Sequence, residues 1–234
     1  MTHDIDPAQA ERLLTTTRTV RKRLDLSRPV DPNMVVECLR IASQAPTGGN
    51  LQRTRWVVVT EPDKRAALGD LYRRAMDPYH AIMDSLVERT GPGNKIMESS
   101  RYLAEVMGRA PILVIPCQLG APGEASTLLR SGGYPHDLSD NVAASGFYGS
   151  VWPAVWSFML ALRSRGLGSA LTTMHLALEE EAALLLGIPK TVTQIGLIPV
   201  AHYRGSSFKP GARRPVEEIT YWDDWKNTVI PTNS

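Results

Sequence analysis

Apolar residues recur along the chain at two rhythms. Between residues 31 and 45, Val35, Cys38, Leu39 and Ala42 fall at i, i+3, i+4 and i+7, the spacing of one buried helix face. Asp31-Pro32 opens that helix as a cap and a first-turn proline, and Pro46 stops it. The same opening at Asp6-Pro7 predicts a shorter helix to about Thr16. Helices are also predicted over 62–74, 96–107, 152–165 and 179–186, the last closed by Gly187 and Pro189. In the 152–165 segment Val155, Phe158, Met159 and Leu162 keep helical spacing, and Trp152 and Trp156 add bulk on adjoining faces. A helix apolar over more than half its circumference is buried on more than one side. Continuous apolar runs at 56–60 (WVVVT), 111–117 (PILVIPC) and 195–201 read as buried strands. Two stretches lack a period: 76–95, which ends in Gly91-Pro92-Gly93, and 119–149. The longer one reads as a lid or binding loop.

Helices and strands alternate unevenly. Two helices precede the first strand, and no strand–GxGxxG–helix unit occurs, which argues against a doubly wound dinucleotide fold. The expected class is α+β, with helices on a mixed sheet.

Composition narrows the function classes. A net charge of +2 over 234 residues is not the profile of a dedicated nucleic-acid binder. Cys38 and Cys117 are isolated, giving neither a disulfide framework nor zinc spacing, so a reducing cytoplasm is expected. No signal peptide and no run long enough to span a membrane is visible. The five histidines are scattered without ligand spacing, so no metal site is predicted, and each reads as a surface or hydrogen-bonded residue. Glu179-Glu180-Glu181 sits at a predicted helix start, where carboxylates suit the dipole.

Four stretches carry candidate chemistry. Arg18-Thr19-Val20-Arg21-Lys22-Arg23 holds four cations in six residues. If that segment is extended, Arg21 and Arg23 share a side, and guanidinium forks match phosphate oxygens. Without a ligand, the same run is a solvated basic surface. Pro46-Thr47-Gly48-Gly49-Asn50 is a helix stop whose glycines and short polar side chains also permit close approach to a ligand. Gly166-Leu167-Gly168 leads into Leu171-Thr172-Thr173, an uncharged strip suited to lie along a flat ring. Arg213-Arg214-Pro215 is a second possible phosphate contact. No GxSxG or HExxH motif appears, as expected where a cofactor carries the reaction.

Taken in order, RTVRKR (18–23), APTGGN (45–50), GLGSALTT (166–173) and RRPVEE (213–218) resemble the motifs of the FMN-dependent nitroreductase family. The 172–173 pair is also similar to the matching stretch of related flavin dehalogenases. The resemblance implies a single nitroreductase-like α/β/α domain over 1–234, with a central mixed, mainly antiparallel sheet. It implies an intertwined homodimer in which 202–234 is an arm on the partner subunit. It implies FMN held at the phosphate by Arg21, Lys22 and Arg23 with Arg213, and bordered at the ring by Leu171, Thr172 and Thr173. Pro46, Thr47, Gly48 and Asn50 would reach the flavin from the partner. A shifted alignment puts Arg18 and Arg21 on the phosphate instead. The loop departs from the family pattern after Asn50: the proline is lost and two residues are added before Trp56.

The implied activity is ping-pong hydride transfer from NADPH or NADH to a nitroaromatic, quinone or related small acceptor. No side chain of its own is expected to be catalytic. The alternatives are reductive dehalogenation and flavin binding without catalysis.

Overall fold

A computed structural model describes residues 5–87, 95–206 and 208–230. Gly91-Pro92-Gly93 lies outside the described residues. Backbone contacts divide the chain into two compact units, 19–206 and a smaller one of 1–18 with 207–234.

The larger unit is built on a six-stranded sheet: β1 (Leu24–Asp25), β2 (Thr54–Val59), β3 (Ile112–Leu119), β4 (Leu167–Ser169), β5 (Val192–Gln194) and β6 (Ile198–Tyr203). The main path runs β1-β6-β3-β2, with β4 on β6 and β5 on β3. Every ladder is antiparallel, and a parallel pairing occurs as an isolated bridge between Gly120 and Val192. The three apolar runs predicted as strands become β2, β3 and β6, displaced by up to three residues. The strands β1, β4 and β5 are two or three residues long, too short to show a period.

Both faces of β3 are buried. Ile112 and Val114 face a core made with α2 (Pro32–Ala42) and α7 (Trp152–Ser164), into which Val35, Cys38, Val155, Phe158 and Leu162 pack. Trp56 of β2 meets Phe158 with ring centroids 5.2 Å apart. Leu113, Ile115 and Cys117 alternate to the opposite face and are equally buried. The other helices of this unit are α3 (Pro62–Val87), α4 (Lys95–Val106), α5 (Glu124–Ser131), α6 (Asp140–Gly149) and α8 (Glu179–Leu186). Of these, α3 and α4 carry buried Leu68, Leu71 and Leu103. Burial raises the Cys38 thiol pKa, and pushes that of Cys117 up to about 12.

The Asp-Pro openings behave as expected. Asp31 accepts from the Asn33 amide at 2.9 Å, and Asp6 from the Ala8 amide at 2.9 Å at the start of α1 (Pro7–Thr16). Two readings are corrected. Helix α3 does not stop near Arg74 but continues to Val87 through Pro78. Proline removes one backbone bond there. The helix persists because Ala75 and Met76 are buried and His80 meets the Ser100 hydroxyl at 3.1 Å. Tertiary packing thus overrides the local breaker. The 119–149 stretch is not structureless, since it contains α5 and α6, the latter capped by Ser139.

In the smaller unit, α1 is followed in space by an irregular tail. Tyr221 and Trp225 pack with ring centroids 4.6 Å apart and planes tilted by 42°, yet Trp225, Val229 and Ile230 remain exposed.

Glycines 69 and 108 let α3 touch the 107–109 turn. A Cβ on Gly69 would lie 2.5 Å from the Gly108 nitrogen and 2.6 Å from its Cα. Alanine gains up to about 1 kcal/mol of helix propensity over glycine. Overpacking against backbone costs roughly 1–3 kcal/mol or more. Gly69→Ala is therefore expected to lower unfolding free energy in urea, and stabilisation would contradict this packing.

Candidate functional site

The basic segment is not extended. Residues 21–23 form a turn in which the Leu24 amide donates to the Arg21 carbonyl at 3.1 Å. Arg21 and Lys22 therefore reach neighbouring residues of α4, whereas Arg23 turns away to Arg204. Arg21 donates to the Ser99 hydroxyl at 3.1 Å, Lys22 pairs with Glu98 at 3.3 Å, and Arg23 Nε donates to the Arg204 carbonyl at 2.7 Å. The expectation that Arg21 and Arg23 share a side is corrected by this turn. Arg21 has a neutral partner, and among the described residues no carboxylate lies within ion-pair distance of it. Lys22 already has a carboxylate partner.

The threonine strip sits on the end of the sheet. Thr172 and Leu197 exchange backbone bonds at 3.0 and 2.8 Å, and the Thr172 hydroxyl donates to the Leu197 carbonyl at 2.9 Å. That spends the hydroxyl proton of Thr172 inside the protein, whereas Thr173 is exposed. Gly196 permits the arrangement: a Cβ there would come within 2.8 Å of Leu171 Cδ1 and 3.1 Å of the Thr172 carbonyl. The expected close approach at Gly166-Leu167-Gly168 has a different cause. Gly166 supplies a φ of 75°, and Gly168 makes room for Val20 and Leu24.

Tyr72 of α3 links these two parts. It is buried, and burial raises its pKa while the Thr172 hydroxyl and the Arg21 charge lower it. Arg21 and Thr172 thus gather about one phenol. Sequence reasoning missed Tyr72, Ser99 and Gly196, because each acts on a residue 24 to 100 positions away in the chain and lies in no motif.

The 46–50 loop is a rigid corner. Gly49, Asn50 and Gln52 have φ of 57°, 52° and 50°. Asparagine tolerates that region and glutamine less so. The loop holds it with bonds from Gly48 N to Ser150 Oγ (3.1 Å), from Gln52 N to Thr47 Oγ1 (3.2 Å) and from Gln52 Nε2 to Asn50 Oδ1 (3.1 Å). Pro46 is exposed at its entrance. In the smaller unit, Arg18 donates to the Lys209 carbonyl at 3.0 Å, and Arg213 to the Ala212 carbonyl at 2.8 Å. Both guanidinium groups crowd Gly211, at 3.1 and 2.6 Å from where its Cβ would be.

The family model described as the Nitroreductase family matches residues 14–202. The chain belongs to the nitroreductase family. Membership supports a flavin-linked oxidoreductase. The chain is also similar to a BluB-like flavoprotein from Clostridium difficile 630 (17% identity, TM-score 0.66, covering 92% of this chain and 99% of that one). An iodotyrosine deiodinase solved with FMN and 3-iodo-L-tyrosine matches at 19% identity and TM-score 0.65, over 91% and 98% of the two chains. NfrA2 of B. megaterium matches at 18% and 0.62, over 93% and 75%. At these identities the likeness is one of fold. No helix among the described residues is long and apolar enough to cross a membrane.

In this nitroreductase-family chain one histidine departs from its expected role. His175, two residues beyond Thr173, is fully buried. The Gln194 amide is close enough to favour its protonation slightly, yet neither ring nitrogen has a partner in hydrogen-bond geometry. Burial lowers its pKa from 6.5 to about 4. Glu181, by contrast, holds Arg74 with two bonds of 2.9 Å. Because the folded chain resists protonating His175, its share of stability is complete above pH 6.5 and falls as pH drops toward 4. The expected loss is about 3 kcal/mol. His175→Leu is expected to lose less over that window in denaturant titrations at successive pH values. Equal losses in both proteins would show that His175 is not the titrating group.

Proposed function

We propose that the protein is an FMN-dependent NAD(P)H oxidoreductase that passes hydride from NADPH or NADH to a nitroaromatic, quinone or related small acceptor by ping-pong turnover. The observation that carries this reading is Arg21, a cation without a carboxylate, brought beside Tyr72 and Thr172. A phosphomonoester has the charge and the oxygens that such a guanidinium lacks. Arg213, with Arg18 beside it, is the second proposed phosphate contact. Lys22 and Arg23 lie next in the chain, with Lys22 contributing less because Glu98 already pairs with it.

Leu171, Thr172 and Thr173 border the ring in this reading. Their fixed backbone and lack of charge leave the reacting edge unobstructed, and Thr173 offers the free hydroxyl. When bound, FMN supplies the two-electron redox chemistry. The chain's residues bind it, orient it and exclude water, the positioning and electrostatic work described for such sites. Pro46, Thr47, Gly48 and Asn50 contribute from a second copy, for which a corner held at three positive φ values is well suited. That second copy also accounts for exposed apolar groups on α2 and α7 (Val36, Ile41 and Trp156) and on the 202–234 arm, which we take to pack on the partner within a single functional domain.

An absorbance spectrum with an anaerobic NADPH and NADH titration tests the reading. Purified protein should be yellow, bleach with the donor, and regain colour with a nitroaromatic. Protein that neither absorbs at flavin wavelengths nor gains stability with FMN would overturn it. Bound flavin that no donor bleaches would indicate a carrier, and turnover of a halotyrosine alone would indicate a dehalogenase. Arg21→Gln is expected to weaken FMN binding about tenfold or more, with the melting temperature of the flavin-free protein unchanged.

A further inference from the structure

We infer that the larger unit carries a second anion site, separate from the flavin residues and suited to a phosphate group: the cavity ringed by Arg28, Arg65 and Arg109. The cavity has a volume of about 360 Å³ and lies where β2 ends, α3 begins and β3 starts, between Thr60, Arg65 and Pro111. The 46–50 loop joins β2 at its opposite end.

Three features make this a built site. Arg65 is pinned: its Nε donates to the Thr60 carbonyl at 3.1 Å and its Nη1 to the Ala110 carbonyl. A guanidinium fixed along one edge keeps its remaining donors pre-aimed. Arg28 and Arg109 are exposed, and among the described residues neither side chain has a hydrogen bond or an ion pair. Three like charges lining one concavity repel one another, and a bound anion relieves this. The walls are stiff as well, with Pro29, Pro32 and Pro111 lining the cavity.

No carboxylate lines the cavity. Of the acidic residues nearest in sequence, Asp63 is exposed at the start of α3 outside the lining, and three others are engaged. Asp25 accepts from Ser27 and Arg204, Asp31 caps α2, and Glu61 pairs with Lys64. Glu105 borders a neighbouring depression that Arg109 also touches, without forming an ion pair. The positive field reaches His202, whose pKa is lowered by burial and by Arg28.

The flavin-loaded full-length protein is titrated calorimetrically with pyrophosphate, orthophosphate and ADP at constant ionic strength, while the flavin spectrum is followed. One saturable site is expected, with no change in flavin absorbance. Arg28→Gln and Arg109→Gln should each weaken it about tenfold and leave flavin content intact. Binding of all three ligands supports a site for a terminal phosphate from any source, and binding of ADP alone supports a nucleotide site. No saturable binding below about 10 mM, or binding that both variants leave unchanged, overturns the inference.

Discussion

The double burial of β3 is the constraint on which the larger unit depends. Residues 112–118 are all sealed from solvent, so the strand needs apolar cover on both faces and a hydrogen-bonded neighbour on each side. One face takes α2 and α7, and the antiparallel neighbours are β2 on one side with β6 and β5 on the other. Once those are placed, the loops at the strand ends have little freedom. The 46–50 corner must precede β2, and the threonine strip must leave β4 and bridge to Leu197 just before β6.

The candidate site inherits its rigidity from that framework. Thr172 is held by main-chain and side-chain bonds to a single residue, Leu197. The 46–50 corner is tied to the end of α6 through Ser150, whose hydroxyl both accepts from Gly48 and donates to Gly146 at 2.7 Å. Buried His175 marks the limit of this economy. A polar ring without partners is an unfavourable occupant of a core, and it lies two residues beyond the strip in the chain.

Legibility in the sequence followed the range of the interaction. The Asp-Pro caps, the α2 face and the long apolar runs are local or periodic signals, and they appear in the structure within a few residues of their expected ends. Helix α3 runs past its expected end near Arg74 because burial of Ala75 and Met76, invisible in one dimension, outweighs the bond missing at Pro78. Helices α5 and α6 escaped because they are eight and ten residues long and bury no apolar side chain: Leu128 and Val142 are exposed, and the one buried residue of α5 is Ser126. The basic cluster was recognisable as a cluster, but its turn at 21–23 separates side chains that an extended segment would align. Tyr72 had no signature: it matters only because α3 delivers it to Thr172 and Arg21.

The sealed thiols have a practical corollary. Cys38 and Cys117 are both fully buried, and burial keeps them in the unreactive protonated form. A maleimide dye or nitroxide offered to the folded protein would therefore find neither. A single cysteine engineered at an exposed position such as Leu128 of α5 would become the one handle available, giving a clean spectroscopic reporter without first stripping the native sulfur from the core.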